Sequence, residues 1–138
     1  MKNPRRHFWS VILLAAMSAA GFAQTPSGNP AGRWLAENIR GGGVIDRLQT
    51  ILELGTDGAV SGTGGCNIMS GRARISGDTI GFGPIASTRK ACSPAVMNQE
   101  AGFFSALEDA RTWQLDRVRR KLILLDMNGR AVLVFAQM

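Results

Sequence analysis

Of the chain's 17 glycines, twelve fall between Gly41 and Gly83. That density restricts the folds open to this stretch more than any other feature. Glycine has the most backbone freedom to lose on ordering, and it gives a strand interior no side chain to pack. Three in a row, Gly41-Gly42-Gly43, stabilise neither helix nor strand. Between the glycines, however, apolar residues keep a period of two: Leu48, Leu52 and Leu54 face one way in Arg47 to Leu54, with Gln49 and Glu53 on the other face. Thr56-Asp57-Gly58 is a hairpin signal leading into a returning strand, Ala59 to Gly64. Gly71 to Ile75 and Thr79 to Phe82 pair around Ser76-Gly77-Asp78. Disorder would not keep the alternation. Glycines used as bends, bulges and close approaches predict a small antiparallel β-barrel or a strongly curved sheet.

The flanking segments supply the remaining elements. Arg33 to Ile39 reads as the first strand, with Trp34 as its main core residue. Pro94 to Ala110 is the one convincing helix: Ser93 is placed to cap it and Pro94 suits its first position. Val96, Phe103, Phe104 and Leu107 form its packing side, and Asn98, Gln99, Glu100, Glu108 and Asp109 are expected to face water. Trp113-x-Leu115 is a short strand, and Arg117, Arg119, Arg120 and Lys121 make a solvated basic turn. The last hairpin turns at Asn128-Gly129, a pair that tolerates positive φ at both positions. A two-residue turn there sets Leu124 opposite Leu133 and Leu122 opposite Phe135 on one face. Leu125 then opposes Val132, and Ile123 opposes Val134, on the other. With both faces apolar, the sheet interior is expected to cover one and the helix the other. The sum is an α+β, mostly β domain of about eight short strands and one packed helix.

The N-terminus bears on compartment. Lys2, Arg5 and Arg6 precede an apolar run from Phe8 to Ala20, and Gly21-Phe22-Ala23 offers a small-x-small cleavage site. Residues 1–23 therefore read as a secretory signal peptide. A transmembrane anchor would need about 20 apolar residues, and no cysteine near the cleavage point offers a lipid anchor. Arg5-Arg6-x-Phe8 weakly matches a twin-arginine signal, but ordinary secretion accounts for it. Residues 24–31 (QTPSGNPA) read as a flexible leader and residues 32–138 as a single domain. Without Lys2, Arg5 and Arg6, the 16 basic residues become 13 against 10 acidic ones, a net +3 that is far from a nucleic-acid binder. The mature protein is expected to be periplasmic or secreted, without a stable membrane anchor, and monomeric.

The only histidine, His7, lies in the signal, and the chain has no tyrosine. Histidine acid–base chemistry, Ser-His and Cys-His nucleophile pairs and His-ligated metals are thus closed to the mature protein. Cys66 and Cys92 are the only cysteines. In an exported protein they are expected to pair, and the loop-closure estimate for a bridge of this span is about 3–4 kcal/mol. A redox pair would usually sit close in sequence at a helix start, as C-x-x-C, which these do not. The stretch Ser61 to Gly71 is not a phosphate loop, having neither G-x-G-x-x-G nor a G-K-[ST] ending. Asn67 reads as a surface turn residue, and Arg89 as a surface residue that makes a structural bond near the bridge or joins Lys90, Arg72 and Arg74 in an anion site.

Several of these residues carry a family pattern. Asp57-Gly58-x-Val60-Ser61-Gly62-x-x-Gly65-Cys66-Asn67, then Gly71, then Thr88-Arg89-Lys90-Ala91-Cys92, resembles the META domain of HslJ-like exported proteins. The match runs from Gly32-x-Trp34 through Phe103, Leu107 and Trp113 to Leu122-x-Leu124-x-Asp126-x-x-Gly129-x-x-x-Leu133-x-Phe135. The resemblance implies a small β-barrel-like α+β fold with its two cysteines paired. It implies a place in the bacterial envelope, with heat-shock response and novobiocin resistance in some members and secretion or virulence in others. It brings no catalytic activity. Members often have an aromatic residue soon after G-C-N, where this chain has Ile68-Met69-Ser70, and many are lipid-anchored.

Three functions are compatible with these features. The first is a non-enzymatic envelope protein that binds a partner or supports stress tolerance. The second is a carrier holding a small apolar ligand or lipid inside the curled sheet. The third is an enzyme using Asp, Glu or Lys, for which Asp46, Asp57, Asp78 and Asp126 converge on nothing. No cofactor or metal is expected. Mass spectrometry of protein taken from the export compartment should give a mass about 2 Da below the reduced form; two freely alkylated thiols would rule the bridge out.

Overall fold

A computed structural model describes residues 28–138; the segment read as a signal peptide, 1–23, and residues 24–27 lie outside the described residues. Strands β1 (Gly32–Ile39), β2 (Gly42–Gly43), β3 (Ile51–Leu54), β4 (Ala59–Thr63), β5 (Ile68–Ser76), β6 (Thr79–Phe82) and β7 (Ala86–Ser87) precede helix α1 (Pro94–Asp109). Strands β8 (Thr112–Asp116), β9 (Lys121–Leu125) and β10 (Ala131–Gln137) follow it. Apart from the two-residue β2 and β7, the strands run β1-β3-β4-β5-β6-β8-β9-β10, and β10 returns to β1, so the curved sheet closes into a ring. Every pairing is antiparallel. The narrowest seam is β6–β8, joined by the single pair Thr79–Thr112 and flanked by Ile80 N–H to the Arg111 carbonyl and Trp113 N–H to the Asp78 carbonyl.

The ring has a side-chain core. Trp34, Leu52, Met69, Leu122, Leu124 and Phe135 point inward and are all but fully buried. Helix α1 belongs to that same core: Phe103 meets Phe135 edge-on with ring centroids 6.2 Å apart, and Ala106 and Leu107 are fully buried beside them. This corrects the expectation that the helix would cover the opposite face. Ile123 and Val134, on that outer face, stay half-buried, because the helix packs against the inner residues of β10 and β1 instead.

The glycines work as bends and close approaches. Gly62 has φ +136°, and a Cβ there would lie 2.0 Å from the Ile51 carbonyl oxygen on the paired strand. No other residue fits that crossing. Arg40 and Gly41, with φ of 50° and 83°, form a tight turn that lets Gly42 and Gly43 pair with Ile39 and Asn38. Two of the three successive glycines therefore do carry a short strand. The strand expected over Arg47 to Leu54 begins only at Ile51, since Arg47 has φ 64° and Leu48 closes a turn onto the Ile45 carbonyl. At the chain's start, Pro30 is fully buried and its carbonyl accepts from the Trp34 indole at 2.8 Å. The fold thus takes in part of the segment 24–31 read as a leader.

In the last hairpin the pairs Leu124–Leu133, Ile123–Val134 and Leu122–Phe135 form as expected, but Leu125 faces Ala131 rather than Val132. Val132 is a bulge, buried, with its carbonyl accepting from Arg40 N–H at 2.9 Å. The turn differs accordingly. Only Gly129 has positive φ (75°), while the Asp126 carboxylate accepts from the N–H groups of Asn128 (2.9 Å) and Arg130 (3.0 Å). An acidic side chain and a bulge replace the second left-handed residue.

The Arg130 N–H, followed by that of Asn128 and the Arg130 charge, holds the Asp126 carboxyl below the ordinary carboxylate range. A lowered folded-state value means the turn is supported above the unfolded pKa and loses that support as pH falls through the folded one. An NMR titration of the Asp126 carboxyl should give a midpoint below the ~3.9 of an unperturbed aspartate, with Asn128 and Arg130 amides exchanging faster as it protonates. A midpoint at or above that reference would show that the turn does not depend on the carboxylate.

Candidate functional site: a buried carboxylate at the hairpin tip

Strands β4 and β5 are joined by Gly64-Gly65-Cys66-Asn67, closed by Gly64 N–H to the Asn67 carbonyl at 3.1 Å. Such a tip leaves several backbone N–H groups without partners. Here Glu100 of α1 supplies the acceptors. Its Oε2 accepts from Cys66 N–H at 2.9 Å and Asn67 N–H at 2.6 Å, and its Oε1 accepts from Asn67 Nδ2 at 2.6 Å. Glu100 and Asn67 are each only 3% exposed. Hydrogen bonds to a carboxylate are the stronger kind, and one buried without donors would be prohibitive.

Gly64 makes this approach possible, since a Cβ there would sit 2.4 Å from Glu100 Cγ. One turn of the network lies below: Thr50, fully buried, donates to the Gly64 carbonyl at 2.9 Å and accepts from Gln99 Nε2 at 3.1 Å. Gln99 Oε1 in turn accepts from Ile45 N–H at 2.7 Å.

Asn67 then reaches the second cysteine segment. Its Oδ1 accepts from Lys90 N–H at 2.6 Å and Thr88 Oγ1 at 3.0 Å, and its Nδ2 donates to the Lys90 carbonyl at 3.2 Å. An amide side chain thus pairs with one residue's N–H and C=O together, as a strand neighbour would. Cys66 and Cys92 form a disulfide across the same junction, with Cα atoms 6.1 Å apart. Cys92 is exposed and Cys66 half-buried.

The residues singled out in the sequence are therefore placed as follows. Cys66 and Cys92 pair. Asn67 is buried and has no positive φ, so it is an internal clamp and not a surface turn residue. Arg89 is exposed and makes no ion pair or side-chain hydrogen bond among the described residues. The proposed grouping of Arg89 and Lys90 with Arg72 and Arg74 does not form. Arg72 donates to the Asp57 carbonyl at 2.9 Å and lines a separate depression with Arg74, Gly81 and Phe82. Arg89 and Lys90 border an open depression of about 400 Å³ between the segment Ser87–Ala91 and the helix residues Met97, Ala101 and Phe104. Ser93 sits at the helix start without a side-chain cap bond.

Glu100 was expected in water and proves to be the hub. A signal for it existed: Glu100 lies four residues after Val96, three before Phe103 and seven before Leu107, on the apolar stripe itself. An acidic residue in that register marks a buried acceptor.

The comparisons with known proteins bear on family and fold. The META domain family matches residues 29–138, and the chain belongs to that family. It is similar to a protein from Burkholderia xenovorans solved by NMR, at 22% identity and a TM-score of 0.63, covering 78% of this chain and 81% of that one. A second NMR structure is 22% identical with a TM-score of 0.57, covering 77% of this chain and 88% of the other. At such identity these likenesses establish the fold alone. No curated protein sequence matches.

Glu100→Gln tests the hub. A glutamine must turn an N–H₂ toward either the two backbone donors or the Asn67 amide, leaving buried donors unpaired. Urea unfolding should show a loss of about 1–3 kcal/mol, with Glu108→Gln on the exposed side within about 0.5 kcal/mol of wild type. Equal stabilities would show that the carboxylate does not hold the tip.

Proposed function

We propose that this META-domain protein is a non-enzymatic exported protein that supports envelope stress tolerance by binding a partner at its surface. The filled ring carries the reading: Leu52, Met69, Leu122 and Phe135 from the sheet and Phe103 from the helix occupy the interior. Such a core favours surface recognition over the alternative, transport of a small apolar ligand or lipid within the ring. The buried carboxylate, Glu100, is fully engaged by structural donors, which speaks for scaffolding and against catalysis. Export is supported by the disulfide and by the signal-like first 23 residues. Among the described residues no helix is long and apolar enough to cross a membrane.

The test is genetic. A strain lacking the protein should lose viability under heat or envelope-damaging antibiotics. The full chain should restore it, and a form lacking residues 1–23, retained inside the cell, should not. Unchanged survival of the deletion strain, or rescue by the internal form, would overturn the proposal. Native mass spectrometry of the exported protein should meanwhile give the bare oxidised polypeptide; a reproducible adduct of lipid mass would favour the carrier instead.

A further inference from the structure

The clamp at Asn67 has a consequence for the segment it holds. Alternate residues of an extended segment direct their backbone groups to opposite sides. In Ala86–Ala91 the inner side carries the hydrogen bonds to β5 and the hairpin tip. Thr88 N–H donates to the Ile68 carbonyl at 3.0 Å, and Lys90 has both N–H and C=O bonded to the Asn67 side chain. Strand β7 pairs with β5 and with no other strand. The outer side, at Arg89 and Ala91, has no backbone or side-chain partner for its N–H groups among the described residues. The segment Ser87–Ala91 itself borders the depression whose other wall is α1; Met97, Ala101 and Phe104 are its apolar lining, and Asn67 and Glu100 line it too.

A groove between a helix and a segment with unpaired backbone N–H groups, continuing from β7, accepts one kind of ligand readily: an extended peptide that pairs with that backbone. The charge at this groove narrows the class. Arg89 and Lys90 are exposed, and neither has an acidic partner among the described residues. The disulfide and the Asn67 clamp hold the edge in place before any ligand arrives, which reduces the ordering cost of binding.

We infer that the groove between Ser87–Ala91 and α1 is a docking site for an extended peptide segment of a partner protein, alternating acidic and apolar residues. Its backbone pairs with the outer edge at Arg89 and Ala91. Its apolar side chains rest on Met97, Ala101 and Phe104; Arg89 and Lys90, adjacent and so on opposite faces of the segment, set one cation beside its carboxylates and give the groove a positive rim. The inference rests on the partner-binding reading above and names the partner's chemistry. Five extended residues span about 14 Å, the reach of the edge from Ser87 to Ala91.

The probe is the acetylated, amidated pentapeptide Val-Asp-Val-Asp-Val, titrated by NMR into ¹⁵N-labelled oxidised protein purified from the export compartment. Amide shifts should be confined to Ser87–Ala91 and the Met97–Phe104 stretch, with hydrogen exchange slowed at Arg89 and Ala91. The variant carrying Arg89→Glu and Lys90→Glu should bind roughly tenfold more weakly or worse, a loss of about 1.4 kcal/mol. A peptide N-methylated on alternate amides, or with lysine in place of aspartate, should not bind. Four results would overturn the inference: no shifts by about 1 mM peptide, shifts elsewhere on the ring, undiminished binding by the charge-reversed variant, or equal binding of the control peptides. Shifts at these residues raised by anionic phosphatidylglycerol vesicles and not by the peptide would reassign the groove to a lipid surface. The survival phenotype does not depend on the peptide, so a failed titration with an intact phenotype rejects the groove and leaves a partner site elsewhere.

Discussion

Three N–H groups converge on one buried carboxylate, Glu100, and the arrangement of the chain's two halves follows from it. A glycine-rich hairpin tip has donors it cannot satisfy internally, and a helix packed on a ring has no reason to sit in one rotational setting. The carboxylate settles both. Gly64 gives it room and Cys66 and Asn67 give it donors, while Asn67 passes the order on to Lys90 and Thr88. The disulfide spans the same junction but acts on a different state. It restricts the unfolded chain, for an estimated 3–4 kcal/mol, whereas the carboxylate selects the native geometry among compact alternatives. A covalent link alone would tolerate several helix orientations; the hydrogen bonds tolerate one.

The ring itself is held unevenly. From β1 through β3, β4 and β5 the ladders are continuous, and β8, β9 and β10 form a second continuous run closed onto β1. Between β6 and β8 there is one pair. The indole of Trp113 reinforces this seam by donating to the Gly77 carbonyl at 2.9 Å while its ring joins the core. Across the opposite arc, Arg40 forms an ion pair with Asp109 at the end of α1. Both partners are exposed, so that pair adds little, and the helix is seated chiefly by Phe103, Ala106 and Leu107.

Elements governed by local rules were readable from the residues. Apolar alternation located β3, the Ser76-Gly77-Asp78 turn located β6, Pro94 located the helix start, and Asn128-Gly129 located β9 and set the register of the last hairpin at three pairs. The misreadings have a common cause, since each depends on a partner distant in sequence. The bulge at Val132 brings its carbonyl to Arg40 N–H in the turn after β1. The helix packs onto the inner residues of the ring because closure of β10 on β1 leaves a face for Phe103 to fill. Asn67 was read as a surface turn because its partners lie 21 to 33 residues away. Glu100 is grouped with the solvent-facing side of the helix by its polarity, although its register on the Val96–Leu107 stripe points inward. Polarity overrode periodicity in that reading, and periodicity was the better guide.

The same reasoning bears on the exposed edge. Proteins commonly blunt free strand edges with short length and cationic side chains to prevent pairing with another copy. Arg89 and Lys90 on the short segment Ala86–Ala91 meet both conditions. Protection of this kind is selective in sign. A second copy approaching edge to edge would bring cations against cations, which is unfavourable in an antiparallel pair. An acidic strand meets the opposite situation and gains both ladder bonds and charge pairing. An unprotected edge would be sticky and a capped edge inert. On the proposed reading, an edge guarded by positive charge disfavours pairing with a second copy and favours an acidic partner.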